Sequence, residues 1–587
     1  MARVYFNGET IIVPGAYTAT DVSGMIRKDT DDAKIIALIG EADGGEPGSV
    51  HFFNDYITAK NVLKGGDLLK ACEKAWTPVS RTKTGVKLGG ANMIACIRSN
   101  KATKASAEHK NSKSELQVKF VSKDWGANNN FRVKIADGTL NGTKRVMIHD
   151  TARNTYENFD NLGNASTIGY TGPKAYAEIN TYVDGDQTFC LETKVGTSAD
   201  DAVTDILIKC DDTTVKSIRQ LVQQLQSYEN YVVSTLNVYN SRLKASEIDL
   251  IQKGNIKLSG KEPTFRVTAV FADLKLRLQT NSTCLDVEKY DKTKGALENV
   301  EWLQLTGGTN GKSPASWVEF YDMLSNFDIT YITPLTSDIA IHAELASHVR
   351  AMSGNLGKER RGIVGGAIGE SINETIVRAK DISSDRMQVV YGGFWDYDHE
   401  NKLQLYPPYI LAAQHAGRCA FLEDGESATY DVYRMASPEY KLERHQVAEL
   451  ILNGVLAFEF VLGRNSTSAS FVRLAHDLTT DATALDTLHT ERATGALADA
   501  INKELRDELD ALLTGKRTSI GDLTSAKNKV ISVLDKRKKK GHIVNYKNVS
   551  VVRDGTTTTI DYMVAPAEPN NFTLITAHYY AETLIAE

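Results

Sequence analysis

The sequence predicts an α/β and α+β multidomain chain: an α/β domain interrupted by a β-rich insertion, then an α+β C-terminal domain, with strand-like arms at both chain ends. Three observations carry this reading. Apolar runs that end in glycine or proline alternate with helical spacing at 34–98 and again at 329–380, as expected for parallel strands buried on both faces. Between Ser99 and about Val300 the text changes to short alternating runs separated by Asn, Gly, Thr and Asp turns. After residue 440, amphipathic helices give way to strands and a proline-bounded tail. The expected divisions are an N-terminal arm (1–25), a discontinuous α/β domain (26–100 and 305–395), the insertion (101–304), the C-terminal domain (396–569) and a C-terminal arm (570–587). A chain of 587 residues is several domains long, with ample core.

The arm comes first. Val4-Tyr5-Phe6 and Thr10-Ile11-Ile12-Val13 are strand-forming runs around the turn Asn7-Gly8-Glu9, and Pro14-Gly15 stops the second run. Such a ribbon is marginal alone, so it either docks on its own domain or adds to a sheet edge on a neighbouring chain. Lys34 to Gly40 then reads as a buried strand, Asp55 to Trp76 as helix around Gly65-Gly66, and Asn92 to Arg98 as the next, parallel strand.

In the insertion, a lysine-rich linker at 101–113 precedes strands at Leu116–Val121, Phe131–Ile135 and Lys144–Ile148, with a helix over Val215–Tyr228. The stretch Leu305 to Ser313 brings the chain back: Gly307, Gly308 and Gly311 are read as a seam between domains. Past Pro314 follow a helix at 316–326, a strand at Ile329–Pro334, a helix capped by Ser337-Asp338 and running to about Met352, and a strand and helix over 362–380. The last third predicts a helix at 442–452 capped at Asn453-Gly454 and strands at 455–462 and 470–475. A long helix through Leu497, Ile501, Leu505, Leu509 and Leu512 follows, then a second through Leu523, Ala526, Val530 and Leu534. Lys536 to Lys540 end that second helix before Gly541, where cations meet the negative end of the helix dipole. Strands at 542–546, 549–552 and 557–564 and the extended run Phe572–Tyr580 close the chain.

Composition excludes several functions. With 74 acidic against 68 basic residues there is no electrostatic footprint for nucleic acid or an anionic membrane. Cys72, Cys96, Cys190, Cys210, Cys284 and Cys419 form no CxxC pair and read as buried thiols in a reducing compartment. The start lacks the apolar segment of a secretion signal, and the most apolar run, 447–463, is broken by Glu449, Asn453 and Glu459, so neither secretion nor a membrane span is expected.

The chemical motifs fail on spacing. Gly311-Lys312-Ser313 looks like a phosphate-binding loop, but the glycine such a loop needs falls on Thr306, and Pro314 breaks the helix that should follow. A dinucleotide fingerprint ending at Gly369 would need glycine at Val364, so Gly365-Gly366 reads as close strand–helix packing. His342-Ala343-Glu344 has no PCxxC partner and reads as two solvent-facing helix residues. His415 and Cys419 stand one helical turn apart, but two ligands make no metal site, and core packing is the simpler reading. Gly369-Glu370-Ser371-Ile372-Asn373 is no nucleophile elbow, and the loop 125–130 reads as a turn rather than a sugar or metal site. No catalytic, cofactor or metal residue is expected.

In order along the chain, Val13-Pro14-Gly15-Ala16-Tyr17, Ala37-Leu38-Ile39-Gly40-Glu41-Ala42, Leu305 to Gly311, Pro407-Pro408-Tyr409 to Ala416-Gly417, and the closing helix, Gly541, strands and Pro566 resemble the sheath protein of contractile bacteriophage tails, as found in large phages of Gram-positive bacteria. The likeness spans nearly the whole length and is loosest in the insertion. Asn310 stands where Asp is commoner and Ala16 where Val is commoner.

The resemblance implies an α+β C-terminal sheath domain with strand-exchanging arms. It implies hexameric rings of this chain stacked helically around a tail tube, contraction triggered at the baseplate without nucleotide, and a place in the virion after assembly in the host cytoplasm. Implied partners are other copies of the chain, the tail tube protein, and the baseplate and tail terminator proteins, with no cofactor, no direct nucleic-acid contact and no membrane. The pairing strands would hold Val4, Tyr5, Phe6, Ile11, Ile12, Val13 and Pro14 at one end and Phe572, Leu574, Thr576, His578 and Tyr580 at the other. The C-terminal domain would lie nearest the tube and the insertion outermost. Two other classes stay open: a P-loop-like nucleotide enzyme and a surface-layer or adhesive β-protein.

Overall fold

The computed structural model describes residues 34–579 except 83–86, 128, 212, 235–239, 259, 261, 264, 355 and 464–469, together with the backbone of two strands nearer the start, Val4–Phe6 and Glu9–Ile11. A seven-stranded sheet forms the body. Its order is Val455–Leu456, Met387–Val390, Arg361–Gly365, Tyr331–Pro334, Ile35–Gly40, Met93–Arg98 and Val50–Phe53. The first six run parallel and only the edge strand Val50–Phe53 is antiparallel. The expected α/β topology is thus present, and the chain leaves it after Met93–Arg98 and re-enters at Tyr331–Pro334, the two strands that flank Ile35–Gly40. Residues 36–40 and 362–365 are buried on both faces because helices cover both sides, which is why they read as continuous apolar runs.

Local signals hold at the helix ends. Asp338 caps Ile339–Ser353 by accepting from the Ala340 N–H, and Ser371 with Glu374 forms a capping box on Ile372–Ile382. Asn453 ends Arg444–Leu452, with Gly454 at φ +74°.

The packing departs from the expected division at residue 396. Val455–Leu456 joins the body sheet, and the helix Pro408–Phe421 is buried in the same core as Ile36, Leu38 and Tyr331. The expected strand 455–462 therefore splits: Phe458–Val461 turns into a different sheet with Phe471–Leu474, Val432–Tyr433 and Val79–Arg81. The close approach expected at Gly365 exists, but its partner is the start of Pro408–Phe421, whose Pro408 carbonyl carbon would lie 2.3 Å from a Cβ at that position.

The insertion is β-rich and nested. Strands between 106 and 162 and between 285 and 304 enclose one core around Phe120, Val133, Ile148 and Leu274. Residues 164–268 enclose a second around Ile168, Leu191 and Ile218. The two meet where the Ala269 N–H donates to the Gly163 carbonyl at 3.0 Å. Two segments differ from expectation. Ser106–Lys110, inside the expected linker, is a strand paired with Leu116–Ser122, and Val270–Asn281 is a helix whose buried Val270, Phe271, Leu274 and Leu278 close the first core. The Val215–Tyr228 helix spans Ile218–Gln226.

The C-terminal lobe is built from the helices Arg492–Leu513 and Ile520–Lys539 and the antiparallel hairpin Ile543–Asp554 and Thr557–Pro566. The two strands expected at 542–552 are one, bulged between Lys547 and Ser550. The lobe has its own core of Leu497, Ile501, Leu505, Val530, Val533, Leu534 and Ile543. Among the described residues no helix is long and apolar enough to cross a membrane.

Candidate assembly site

The N-terminal ribbon forms locally. Val4 pairs with Ile11, Tyr5 with Thr10 and Phe6 with Glu9, an antiparallel hairpin one residue tighter than the sequence suggests, and among the described residues it joins no other strand. Ile12, Val13 and Pro14 lie outside the described residues. At the other end the chain leaves the lobe at Pro566 and runs without regular structure to Tyr579. Phe572 is 82 % exposed, Leu574 94 %, Ile575 88 % and Tyr579 95 %, and Thr576 and His578 are also exposed. Tyr580 lies outside the described residues. The expected C-terminal strand is therefore unpaired here: an extended backbone needs a partner ladder, and among the described residues no strand pairs with this segment.

Among the described residues the lobe's hairpin is a two-stranded sheet with both outer edges unpaired. Beside Thr557–Pro566 lies a groove of about 430 Å³ lined by Leu488, Leu497, Ile501, Tyr562 and Val564. Unpaired edges next to apolar side chains are the usual setting for strand addition.

The lobe meets the body through charge. Arg361 and Arg386 reach Asp499 at 2.8 and 2.9 Å. Asp424 accepts Lys34 at 2.9 Å and Arg537 at 2.6 Å, and Arg537 also reaches Glu504 at 2.8 Å. Apart from Arg386, these residues line a cleft of about 520 Å³ between the start of the body strands and the lobe's long helix. Burial works to raise the Asp424 carboxyl, and the Lys34 and Arg537 charges more than offset it, holding the group below its ordinary range. The lysine run ends its helix as expected, with Gly541 at φ +77°, and Lys536 additionally pairs with Glu504.

The seam is a zipper. Outgoing residues 101–106 lie antiparallel to returning residues 306–312, with Thr103 N donating to Thr309 O and Ser106 N to Thr306 O, both at 2.9 Å. Asn129 grips Gly308 through both amide groups, and the Gly307 carbonyl accepts the Thr103 hydroxyl at 2.8 Å. Gly311 has φ +66°, and a Cβ there would stand 1.9 Å from the Lys101 carbonyl oxygen, so only glycine fits. Asn310 donates to Asp43 at 3.0 Å while accepting from the Ala127 N–H at 3.0 Å. An amide does both, whereas an Asp would set a second carboxylate against Asp43. Lys312, the would-be phosphate ligand, is exposed on this zipper and its carbonyl accepts from the Lys101 N–H.

One sequence expectation is reversed. His342 is fully buried, its Nε2 against the Thr336 carbonyl and its Nδ1 accepting from Arg378, and burial with the Arg378 charge lowers its pKa to about 3. Glu344 accepts the Trp317 N–H at 2.8 Å rather than facing solvent freely. The helix buries more than one stripe because the sheet on one side and Ile372–Ile382 on the other both cover it.

The whole chain has counterparts among known proteins. It is 29 % identical over 584 residues to the tail sheath protein of Bacillus phage SP01, covering 99 % of this chain and 97 % of that protein. Its relatives are phage tail sheath proteins. The putative tail sheath protein of Enterococcus phage phiEF24C is also 29 % identical, over 592 residues and all of both chains. No protein-family model matches. The solved sheath tail protein of Listeria innocua shares the fold, with a TM-score of 0.53 at 13 % identity over 91 % of this chain and 95 % of that one. The resemblance drawn from the ordered motifs therefore extends over the full length.

Proposed function

We propose that the chain polymerises into stacked hexameric rings around a tail tube and that contraction of the lattice drives the tube through the host envelope. The observation that carries the assembly step is the C-terminal segment: Phe572, Leu574, Ile575 and Tyr579 lie bare in water while the lobe's hairpin keeps two open edges. Four large apolar side chains in sequence are costly to leave exposed in a finished particle. On a strand laid on a neighbour, Phe572, Leu574, Thr576, His578 and Tyr580 would face one way and Ile575 and Tyr579 the other. The N-terminal strands around Val4–Phe6 and Ile11–Pro14 supply the second exchanged element. A head-to-tail strand exchange of this kind does not close on itself and grows helically. Rigid-body rearrangement then needs no nucleotide, because the energy is stored in the extended lattice. In this reading the lobe faces the tube, the insertion lies outermost, and the baseplate and tail terminator bound the lattice at its ends.

The test is negative-stain microscopy of the purified protein, with long helical tubes expected. A chain that stays monomeric at high concentration, with and without a tube to assemble on, refutes the reading.

A further inference from the structure

The helix Pro408–Phe421 carries His415 and Cys419 on one face, and the structure adds a third group that no local pattern announces. Asp477, just past the strand Phe471–Leu474, enters the same pocket. All three side chains are fully buried, and their donor atoms lie within 4.8 Å of one another. His415 Nε2 stands 3.4 Å from Cys419 Sγ and 3.5 Å from Asp477 Oδ1. We propose that these three residues form a structural site for one divalent cation of the zinc class.

The distances support a cation better than a proton. Neutral imidazole has one N–H, and Nδ1 is engaged by the Tyr433 hydroxyl at 2.6 Å. Nε2 therefore faces a sulfur and a carboxylate oxygen at once, the oxygen lying beyond the ordinary hydrogen-bond range of about 2.7–3.2 Å. One N–H cannot point at both. Ligand distances of about 2.0–2.1 Å to nitrogen, 2.3 Å to thiolate and 2.0–2.2 Å to carboxylate set tetrahedral edges of roughly 3.3–3.6 Å. The two measured edges fall in that range.

The surroundings hold the donors as metal sites hold theirs. Tyr433 fixes the imidazole through its other nitrogen, the place where a ligating histidine takes its outer hydrogen-bond partner. Asp477 Oδ2 is taken by the Ala428 N–H at 2.9 Å and by Arg492 Nε at 2.8 Å. Gln388 Nε2 takes one lone pair of Oδ1 at 3.0 Å, leaving the other turned to His415. On binding, the Cys419 proton leaves to solvent and the thiolate offsets part of the cation's charge, while the Asp477 carboxylate is shared with Arg492, 2.7 Å from Oδ2. A small ligand such as water fills the fourth position. The site would tie the body helix to the segment that leads into the lobe, at the joint where Arg492 begins the long helix.

The experiment uses the full chain expressed in minimal medium supplemented with zinc or with cobalt(II). After extensive dialysis, elemental analysis should find about one metal per chain. The cobalt form should show thiolate-to-cobalt charge-transfer absorption in the near ultraviolet. Cys419→Ser should lose that band while its far-ultraviolet circular dichroism matches wild type. The cobalt spectrum of the wild-type chain needs no variant, so a misfolded mutant does not blunt the test. Metal-free protein from both media, or bound cobalt without a thiolate band, overturns the proposal and leaves a hydrogen-bonded core cluster.

Discussion

Removing the Asp424 carboxylate should loosen the C-terminal lobe more than any single surface change. Its side chain is 2 % exposed and holds Lys34, at the head of the first body strand, together with Arg537, at the end of the lobe's second helix. Breaking a buried ion pair by deleting one partner costs about 3–5 kcal/mol, because the remaining charge stays buried without compensation. Here both cations keep something: Arg537 retains Glu504 at 2.8 Å, and Lys34 retains the Leu422 carbonyl at 2.6 Å. The lower end, about 3 kcal/mol, is therefore expected for Asp424→Ala. For a unit the size of residues 486–566, each kcal/mol moves Tm by about 4–8 °C, so the lobe's transition should fall by about 12–24 °C. Differential scanning calorimetry with limited proteolysis reads this directly: a separate early transition and cleavage between the body and the helix at Arg492. A loss under about 1 kcal/mol, the range of exposed pairs, refutes the claim that charge holds the lobe to the body.

Other outcomes follow from the same geometry. Asp424 has a folded pKa below its unfolded value of about 3.9, so its contribution is present above pH ~4 and lost as pH falls through the folded value; acid titration followed by hydrogen exchange of the lobe's amides should show lobe release below pH ~4, a loss that Asp424→Asn abolishes. Gly311→Ala forces a Cβ onto the Lys101 carbonyl at positive φ and should cost on the order of 1–3 kcal/mol, measured by urea denaturation; unchanged stability would mean the seam is not rigid. Leu574→Asp with Ile575→Asp should leave the monomer's Tm within about 1 °C of wild type, since both side chains are exposed, yet prevent tube formation in sedimentation assays. Tubes from that double variant would exclude the C-terminal segment as a pairing strand.

Much of the fold was legible because its signals are local. Asp338 and Ser371 cap helices through side chains two or three residues from their partners, and the strand 35–40 is apolar on both faces because it is covered on both. What escaped depends on distant packing. Nothing near Val270 distinguishes a helix from another strand of the insertion; its register is set by Phe271 and Leu274 meeting the core from across the chain. The run 455–461 reads as one strand because propensity does not record that Leu456 pairs with Val390 while Phe458 pairs with Leu474. His342 was misplaced for the same reason, since a helix covered on two sides hides its second stripe. At the assembly site, the apolar arms were visible as strand-forming text, whereas the open edges they would fill exist only once the hairpin has folded. Asp477 had no sequence signal tying it to His415 and Cys419, being far along the chain from both.

The most direct test of the account deletes residues 1–17 and asks whether the remaining chain polymerises. If the terminal strands knit neighbouring subunits, analytical ultracentrifugation of the truncated protein should show a folded monomer, with far-ultraviolet circular dichroism like that of the full chain, under conditions where the full chain forms tubes. Helical tubes assembled from the truncated protein would contradict the account.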